Sequence, residues 1–387
     1  MLIDLLITEI ETGGAERCCA ELAIYLARRG SQVRVISIGP PPQGSAKSLL
    51  WEKLKQVAED LQNQTAAGTS NSKGELQIHF LNASKPWQWI RAQRGLRRLI
   101  EDRKPDVAQG FLWHANVLGG LLYGRTGVIW VPGIRVVEPR TWRRWLGWIW
   151  HRPASRVVCV SAEVAAWSHS KEGVPSEKLM VIENGVRIPP TSRTWAQPSA
   201  REPSKQLLFV GRLELQKGID VLLRNAERIL QALPDYRLSI IGEGSWMAAW
   251  KSFLESSPFS HRIDLLGKQS NVLEKMIESD LLILPTRYEG MPNVILEAMS
   301  VGLPVATMRV EGVAALLGEQ LEAQSVVRED WEGWVRLVID LVRQGDKLQY
   351  LGSANRERAA NHFELEHQLR KYESLYETLY RELACHS

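Results

Sequence analysis

An alternation that runs twice along the chain constrains the fold more than any other feature. "LIDLLIT" (2–8) is a nearly unbroken apolar run, "ETGGAER" (11–17) a glycine turn, and "AERCCAELAIYLARRG" (15–30) a helical pattern ended by Gly30. "QVRVISIG" (32–39) is the next apolar run. That is a β-α-β unit, and short runs without polar alternation are what strands covered on both faces look like. "LQIHFL", "DVAQGF", "GVIWVPG" and "RVVCVS" continue the first series as strands, with helical patterns between them. A second series starts at "QLLFVGRLELQKGIDVLLRNAERIL" (206–230) and runs through "YRLSIIGEGS", "RIDLLG", "DLLILPTRYEG" and "LPVATM". Two α/β halves, each a doubly wound parallel sheet, follow from this pattern. A length of 387 residues suits two hydrophobic cores better than one.

The expected boundaries are 1–188 for the first half and 205–364 for the second, with a closing amphipathic helix at 365–387. Residues 189–204 are rich in Pro, Ser and charge without apolar period and read as the linker. Residues 40–74 are polar and turn-rich around one helical patch at 49–62, and read as a long loop with little core of its own. The two halves differ in charge. Residues 1–190 hold 25 Lys and Arg against 17 Asp and Glu, the remainder 23 against 27, and 10 of the 15 tryptophans fall in the first part. That asymmetry predicts different partners for the two halves. Cys18, Cys19, Cys159 and Cys385 lack disulfide or metal-ligand spacing, which points to a reducing compartment. The N-terminus has no basic segment before its apolar run, and no stretch reaches the roughly 20 apolar residues of a spanning helix. The expectation is a protein without a leader or membrane span.

Strand ends in such sheets face the ligand crevice. Arg212 and Lys217 follow the first strand of the second half, in "VGRLELQKG" (210–218), where two cations suit phosphate oxygens. "IIGEGS" (240–245) is another glycine turn after a strand, more simply a turn than a site. "TRYEGMPNVILEAMSVG" (286–302) hands a strand over to a helix, with Glu289 at its mouth and Glu297 about one turn into the helix. A helix N-terminus offers unpaired N–H groups and a positive dipole end. The two acids taken singly fit a solvated loop and a helix surface. Together with the Gly-x-Pro-Asn turn they read as a site for an anion or a hydroxyl-rich ligand, without a metal.

These motifs resemble the retaining glycosyltransferases of family 4, which have the GT-B fold of two Rossmann-like domains facing across a cleft. The matching stretches are "GGAER" (13–17), "VSAEV" (160–164), "VIENGV" (181–186), "VGRLELQKG", "IIGEGS" and "EGMPNVILEAMSVGLPV" (289–305), in family order. The resemblance implies an N-terminal acceptor-binding domain and a C-terminal domain binding a nucleotide-sugar, with the last helix crossing back to the first. It implies that the Gly14 backbone meets the donor diphosphate. Arg212 and Lys217 would hold that diphosphate and stabilise its charge as it leaves. Glu289 would contact the donor sugar hydroxyls, and Glu297 the ribose. The backbone of Gly290, Met291, Pro292, Asn293 and Val294 would embrace sugar and phosphate. His114, in "FLWHAN", falls where relatives place an active-site histidine; a packed or solvated histidine is the alternative. Residues 267–272 would contact the base. The reaction implied is a retaining transfer to a saccharide or lipid-linked acceptor, with no metal, no cofactor, and UDP as the commonest carrier. Arg187 and Ala315 stand where relatives often carry acids, which touches loop geometry rather than diphosphate contacts.

Residues 139–153, "PRTWRRWLGWIWHRP", interleave four tryptophans with arginines, and "WQWIRAQRGLRR" (87–98) has the same character. Three readings fit: tryptophans turned into the core, an anionic membrane surface, or nucleic acid, the last the least favoured and not adopted. The functional expectation is a cytoplasmic enzyme, peripheral on the inner face of the membrane, in cell-surface polysaccharide or glycolipid synthesis. A sugar-nucleotide epimerase of the same architecture and a non-catalytic nucleotide-sugar-binding protein are the rivals. The pair "GGAER" and "EGMPNVILEAM", with no assignable acid/base constellation, speaks against the first, and the intact set Arg212, Lys217, Glu289 and Glu297 against the second.

Overall fold

The computed structural model describes residues 1–11, 13–66, 74–137, 140–190 and 204–386. It holds two units: Met1–Glu183 together with Gln368–Ser387, and Asn184–His367. Of the linker expected at 189–204, residues 191–203 lie outside the described part.

The first unit is built on a seven-stranded parallel sheet in the order β3-β2-β1-β4-β5-β6-β7. Its strands are β1 (Leu2–Ile7), β2 (Gln32–Ser37), β3 (Glu75–Phe80), β4 (Val107–Phe111), β5 (Ile129–Ile134), β6 (Val157–Cys159) and β7 (Leu179–Val181). The helices between them are α1 (Gly14–Arg28), α2 (Ser45–Ala66), α3 (Trp89–Asp102), α4 (Trp113–Leu122), α5 (Thr141–Trp145), α6 (Trp148–His151) and α7 (Ala162–Trp167). Every residue of β1 and β4 is buried, as expected of central strands covered on both faces. Asp4 sits inside that core, because Arg34 from β2 donates two hydrogen bonds to it, at 2.6 and 2.9 Å, and the Tyr123 hydroxyl a third, at 2.7 Å. Cys18, Cys19 and Cys159 are free thiols buried in this unit, and burial pushes the Cys159 thiol up to about 12.

One expectation changes here. Much of the 40–74 segment is α2, whose Leu54, Val57 and Leu61 are buried. The three lie three and four residues apart, so they share one helical face. Lys53 also pairs with Glu21 of α1 at 2.5 Å. The helical patch expected at 49–62 lies within this longer helix, which carries a buried stripe where little core was expected. Residues 67–73 lie outside the described part.

The second unit has a six-stranded parallel sheet in the order β10-β9-β8-β11-β12-β13. The strands are β8 (Gln206–Val210), β9 (Arg237–Ile241), β10 (Ile263–Gly267), β11 (Leu281–Leu284), β12 (Val305–Arg309) and β13 (Ser325–Val327). Its helices are α8 (Ile219–Ala232), α9 (Met247–Ser256), α10 (Val272–Ile277), α11 (Asn293–Val301), α12 (Val313–Leu317), α13 (Leu321–Gln324), α14 (Trp331–Arg343) and α15 (Gly345–His362). Trp334 of α14 is fully buried and donates its indole N–H to the Ala306 carbonyl of β12 at 3.0 Å, which fixes that helix on the sheet.

The last helix, α16 (Leu365–His386), returns to the first unit, as expected. Its Tyr376 hydroxyl donates to the Gln109 side chain of β4 at 3.1 Å, and Glu373 accepts from Tyr25 at 2.8 Å and Arg29 at 2.9 Å. Leu369, Tyr372, Leu375, Tyr376 and Leu379 are buried, an apolar stripe at helical spacing.

Candidate functional site

In each sheet the strand order reverses once. In the first unit the chain winds outward from β1 through β2 to β3, then crosses back to β4 and continues the other way. In the second unit the reversal falls between β8 and β11. Ligands of open α/β sheets bind outside the carboxyl ends of the strands at such switch points. The predicted residues sit on the loops that leave these four strands or near the starts of the helices that follow them.

In the second unit, β8 ends at Val210, and Gly211 to Glu214 lead into a tight turn at Leu215–Lys217. β11 ends at Leu284, and residues 285–292 lead into α11. Because β8 and β11 are hydrogen-bonded neighbours, the two loops meet. The Gln216 carbonyl accepts from the Arg287 backbone N–H at 2.8 Å, and the Gln216 side chain donates to the Tyr288 carbonyl at 3.1 Å. The Lys217 ammonium reaches the Glu289 carboxylate at 2.5 Å, and the Thr286 hydroxyl lies 2.8 Å from the same oxygen. Glu289 is only 6% exposed. It is therefore an inward acid paired with a lysine, not a solvated loop residue. Burial excludes water from the pair, so charge placed beside it is felt strongly.

Arg212 is exposed and donates to the Gln216 side chain at 2.8 Å, at the rim of the same loop pair. Gly290, Met291 and Pro292 are buried, and Asn293 and Val294 are half-buried. α11 begins at Asn293 after Pro292, with no side-chain cap, and its first turn closes when Ile295 N–H reaches the Pro292 carbonyl at 3.1 Å. The N–H groups of Asn293 and Val294 lie ahead of that bond, as the dipole argument requires. Met291 is engaged from behind: its carbonyl accepts from the Asn184 side chain at 3.1 Å, which gives the "ENGV" stretch a supporting role. Glu297 stands half-exposed one turn into α11. Residues 267–272 follow β10, the edge strand, two strands away from β8.

The "IIGEGS" turn supports the Arg212 loop. Gly242 has φ 143°, and a Cβ there would collide with the Gly211 carbonyl, so the β9 turn can press directly on the β8 loop. Glu214 then accepts from Ser245 at its backbone N–H (2.9 Å) and hydroxyl (2.7 Å), and these bonds hold the Glu214 carboxyl below its ordinary range.

In the first unit, Gly14 opens α1 after β1, and His114 is the second residue of α4 after β4. They therefore flank the switch point of their own sheet. His114 is exposed, its ring edge-on to Trp113 at 5.1 Å. Leu112, just before it, has φ 73°, a left-handed conformation that a leucine adopts only under strain. Asn116 anchors the turn by donating to the Gly133 carbonyl of β5 at 2.8 Å.

Several positioning residues escaped the sequence reading. Thr286 and Gln216 join the loops, and Asp220 of α8 takes both prongs of Arg287, at 2.6 and 2.8 Å. Glu311, after β12, lies 3.4 Å from the Glu289 backbone N–H and pairs with Arg328 at 2.5 Å. Gln216 and Arg287 stand inside stretches already singled out; nothing in sequence spacing announced Asp220 or Glu311.

Fold and candidate site together define a class of two-unit α/β protein, each unit a parallel sheet with a single reversal of strand order. Residues 12–188 match the family model described as Glycosyltransferase Family 4, and residues 192–358 the one described as Glycosyl transferases group 1. The chain belongs to the family 4, group 1 glycosyltransferases. It is 25% identical to UDP-Gal:alpha-D-GlcNAc-diphosphoundecaprenol alpha-1,3-galactosyltransferase of Escherichia coli over 60% of this chain, and spans 62% of that relative's length, less than two thirds. It is also 25% identical to glycogen synthase of Mycobacterium tuberculosis, over 91% of this chain and 88% of the other. The crystal structure of Anabaena HepE in complex with UDP-glucose superposes with a TM-score of 0.77 at 16% identity, covering 98% of this chain and 100% of that one. The fold is GT-B.

Proposed function

We propose that the protein transfers a sugar, with retention of anomeric configuration, from a nucleoside-diphosphate sugar to a saccharide or lipid-linked acceptor. The observation that carries this reading is the Lys217–Glu289 pair, buried where the β8 and β11 loops meet. Lys217, with Arg212 at the rim, offers positive charge to a diphosphate. Glu289 orients Lys217 and offers carboxylate oxygens to sugar hydroxyls. The N–H groups at the start of α11 add a fixed positive end. A nucleotide-sugar already carries a good leaving group, so positioning and charge stabilisation supply the catalysis. The bond from the anomeric carbon to the phosphate oxygen breaks, the acceptor oxygen bonds on the same face, and the departing phosphate takes the acceptor proton.

We propose UDP as the carrier, supported by the UDP-Gal donor in the name of the Escherichia coli relative and by UDP-glucose in the HepE crystal. The diphosphoundecaprenol acceptor in that relative's name supports a lipid-linked acceptor here. No metal or other cofactor enters the proposed step. A cytoplasmic location at the inner membrane face fits this donor and acceptor, and the four free cysteines suit a reducing compartment.

Calorimetric titration of UDP, GDP, ADP and dTDP into wild type and Arg212→Ala tests the reading. Expected is binding of UDP in preference to the others, weakened at least about tenfold in the variant. UDP-sugar incubated with acceptors should then yield a new glycoside. Equal binding by both proteins, or an epimerised donor as the product, overturns it.

A further inference from the structure

The tryptophan-rich segment resolves into a surface that the transfer reaction does not account for. Trp150 is 2% exposed and packs inside the first unit, whereas Trp142, Trp145 and Trp148 are 54%, 82% and 57% exposed. The three recur every third residue across α5 and α6, and Leu146 beside them is also exposed. Large apolar side chains grouped in water mark an interaction site. The sequence from Arg140 to Ala162 has no acidic residue, and Arg140 and Arg152 are exposed there with Arg144 half-exposed.

A second patch has the same composition. Trp87 and Ile90, at the start of α3, are 72% and 59% exposed. Between Glu75 and Glu101 there are five cations and no acid. α3 and α6 both pack against α4, so the two patches flank the helix that carries His114. Trp113 joins the first patch to it: its ring meets Trp142 edge-on at 5.4 Å and His114 at 5.1 Å. The Arg143 guanidinium lies over both Trp113 and Trp142, at 4.8 and 5.4 Å.

We propose that this face of the first unit docks on an anionic lipid bilayer, with Trp142, Trp145, Leu146 and Trp148 at headgroup depth and Arg144 and Arg152 against lipid phosphates. Tryptophan prefers that depth, and each cation near an anionic surface strengthens the attraction. The aliphatic Leu146 and Ile90 favour a bilayer over single-stranded RNA, which stacks on rings but has no acyl region for a leucine. The dock ends one ring away from His114, so a lipid-borne acceptor would reach His114 from the bilayer surface. This last clause rests on the transferase reading; lipid binding does not.

The full-length protein is sedimented with vesicles of phosphatidylcholine alone and of equal parts phosphatidylcholine and phosphatidylglycerol. Expected is partition onto the anionic vesicles only, weakening with salt. The double variants Trp145→Ser/Trp148→Ser and Arg144→Gln/Arg152→Gln should each lose about tenfold or more in partition. Both should melt with wild type, since the altered side chains face solvent. Lack of preference for anionic vesicles, or variants that bind as wild type does, overturns the dock. So does capture of poly(U), but not vesicles, through the same tryptophans. In a second arm, transfer to a vesicle-borne acceptor should fall in the variants while transfer to a water-soluble acceptor with the same sugar holds. An equal effect on both acceptors overturns the delivery role. A wild type that binds vesicles but glycosylates neither acceptor sinks the transferase reading and leaves the dock standing.

Discussion

Arg287 grips Asp220 with two prongs, Nη1 to Oδ1 at 2.6 Å and Nη2 to Oδ2 at 2.8 Å, and Arg224 adds a third contact at 2.6 Å. The Asp220 side chain is 4% exposed, so the pair is an internal strut between the first turn of α8 and the loop that carries Glu289. The Arg287 guanidinium also lies 5.1 Å from the centre of the Trp331 ring.

This strut has a pH signature. Burial alone would raise the Asp220 carboxyl, but the Arg287 hydrogen bonds and charge, with the Arg224 charge, override it and hold the carboxyl below its ordinary range. A depressed folded value means stability fully present above the unfolded value of about 3.9 and lost as pH falls through the folded one. Asp220→Asn should lower the melting temperature near neutral pH, by about 1–3 kcal/mol of stability, and flatten its decline in acid. Thermal melts from pH 7 down to pH 3 check this; parallel acid limbs in the two proteins would count against the strut.

The Lys217–Glu289 pair should respond unequally to its two deletions. Lys217→Ala leaves the buried Glu289 carboxylate without its cation and with the Thr286 hydroxyl beside it, so it should cost about 3–5 kcal/mol in stability as well as UDP affinity. Glu289→Gln keeps the shape and an acceptor for Thr286, so folding and UDP binding should largely survive. Turnover should nevertheless fall by about 10²-fold or more. Calorimetry for binding and product formation for turnover separate the two, and wild-type turnover in Glu289→Gln would remove Glu289 from the proposed site.

Gly218 joins the Lys217 turn to α8 with φ 70°, and a Cβ there would strike the Pro285 carbonyl. Gly173 has nearly the same φ, 72°, but open space around it. Gly173→Ala should therefore cost only the left-handed penalty, about 1–2 kcal/mol. Gly218→Ala should cost more, because the β8 and β11 loops must also part, and UDP binding should weaken with it. Melting and titration of the two variants side by side test this difference, and equal losses would mean the close approach is unimportant.

Arg34→Met should destabilise the first unit by about 3–5 kcal/mol, since it leaves Asp4 buried with Tyr123 alone. Tyr123→Phe removes one of three bonds to Asp4 and should cost about 1–2 kcal/mol. A calorimetric scan reads both losses.

How far the sequence alone reaches can be judged from particular residues. The apolar runs at 2–7 and 281–284 became central strands, because a run buried on both faces is written in the residues themselves. The glycine that closes the quoted stretch 286–302, Gly302, caps α11 with φ 79°. The tryptophans of 139–153 were illegible by contrast: α5 and α6 have five and four residues, too few turns for a periodicity to assign a face. Packing against the rest of the unit decided that Trp150 turns in while its three neighbours turn out. The helical patch at 49–62 was legible but its share in the core was not, for a related reason: Leu54, Val57 and Leu61 become a core face only once there is a sheet beneath them.

Local spacing determined the strands, the turns that end them and the residue types placed on those turns, because each depends on neighbours in the chain. Which turns meet is a matter of strand order. Lys217 and Glu289 are 72 residues apart and touch because β8 and β11 lie side by side where the sheet reverses, and Asp220 takes Arg287 for the same reason. Hydrogen bonding between strands far apart in sequence set that adjacency, and it alone turned a lysine and a glutamate into a buried pair.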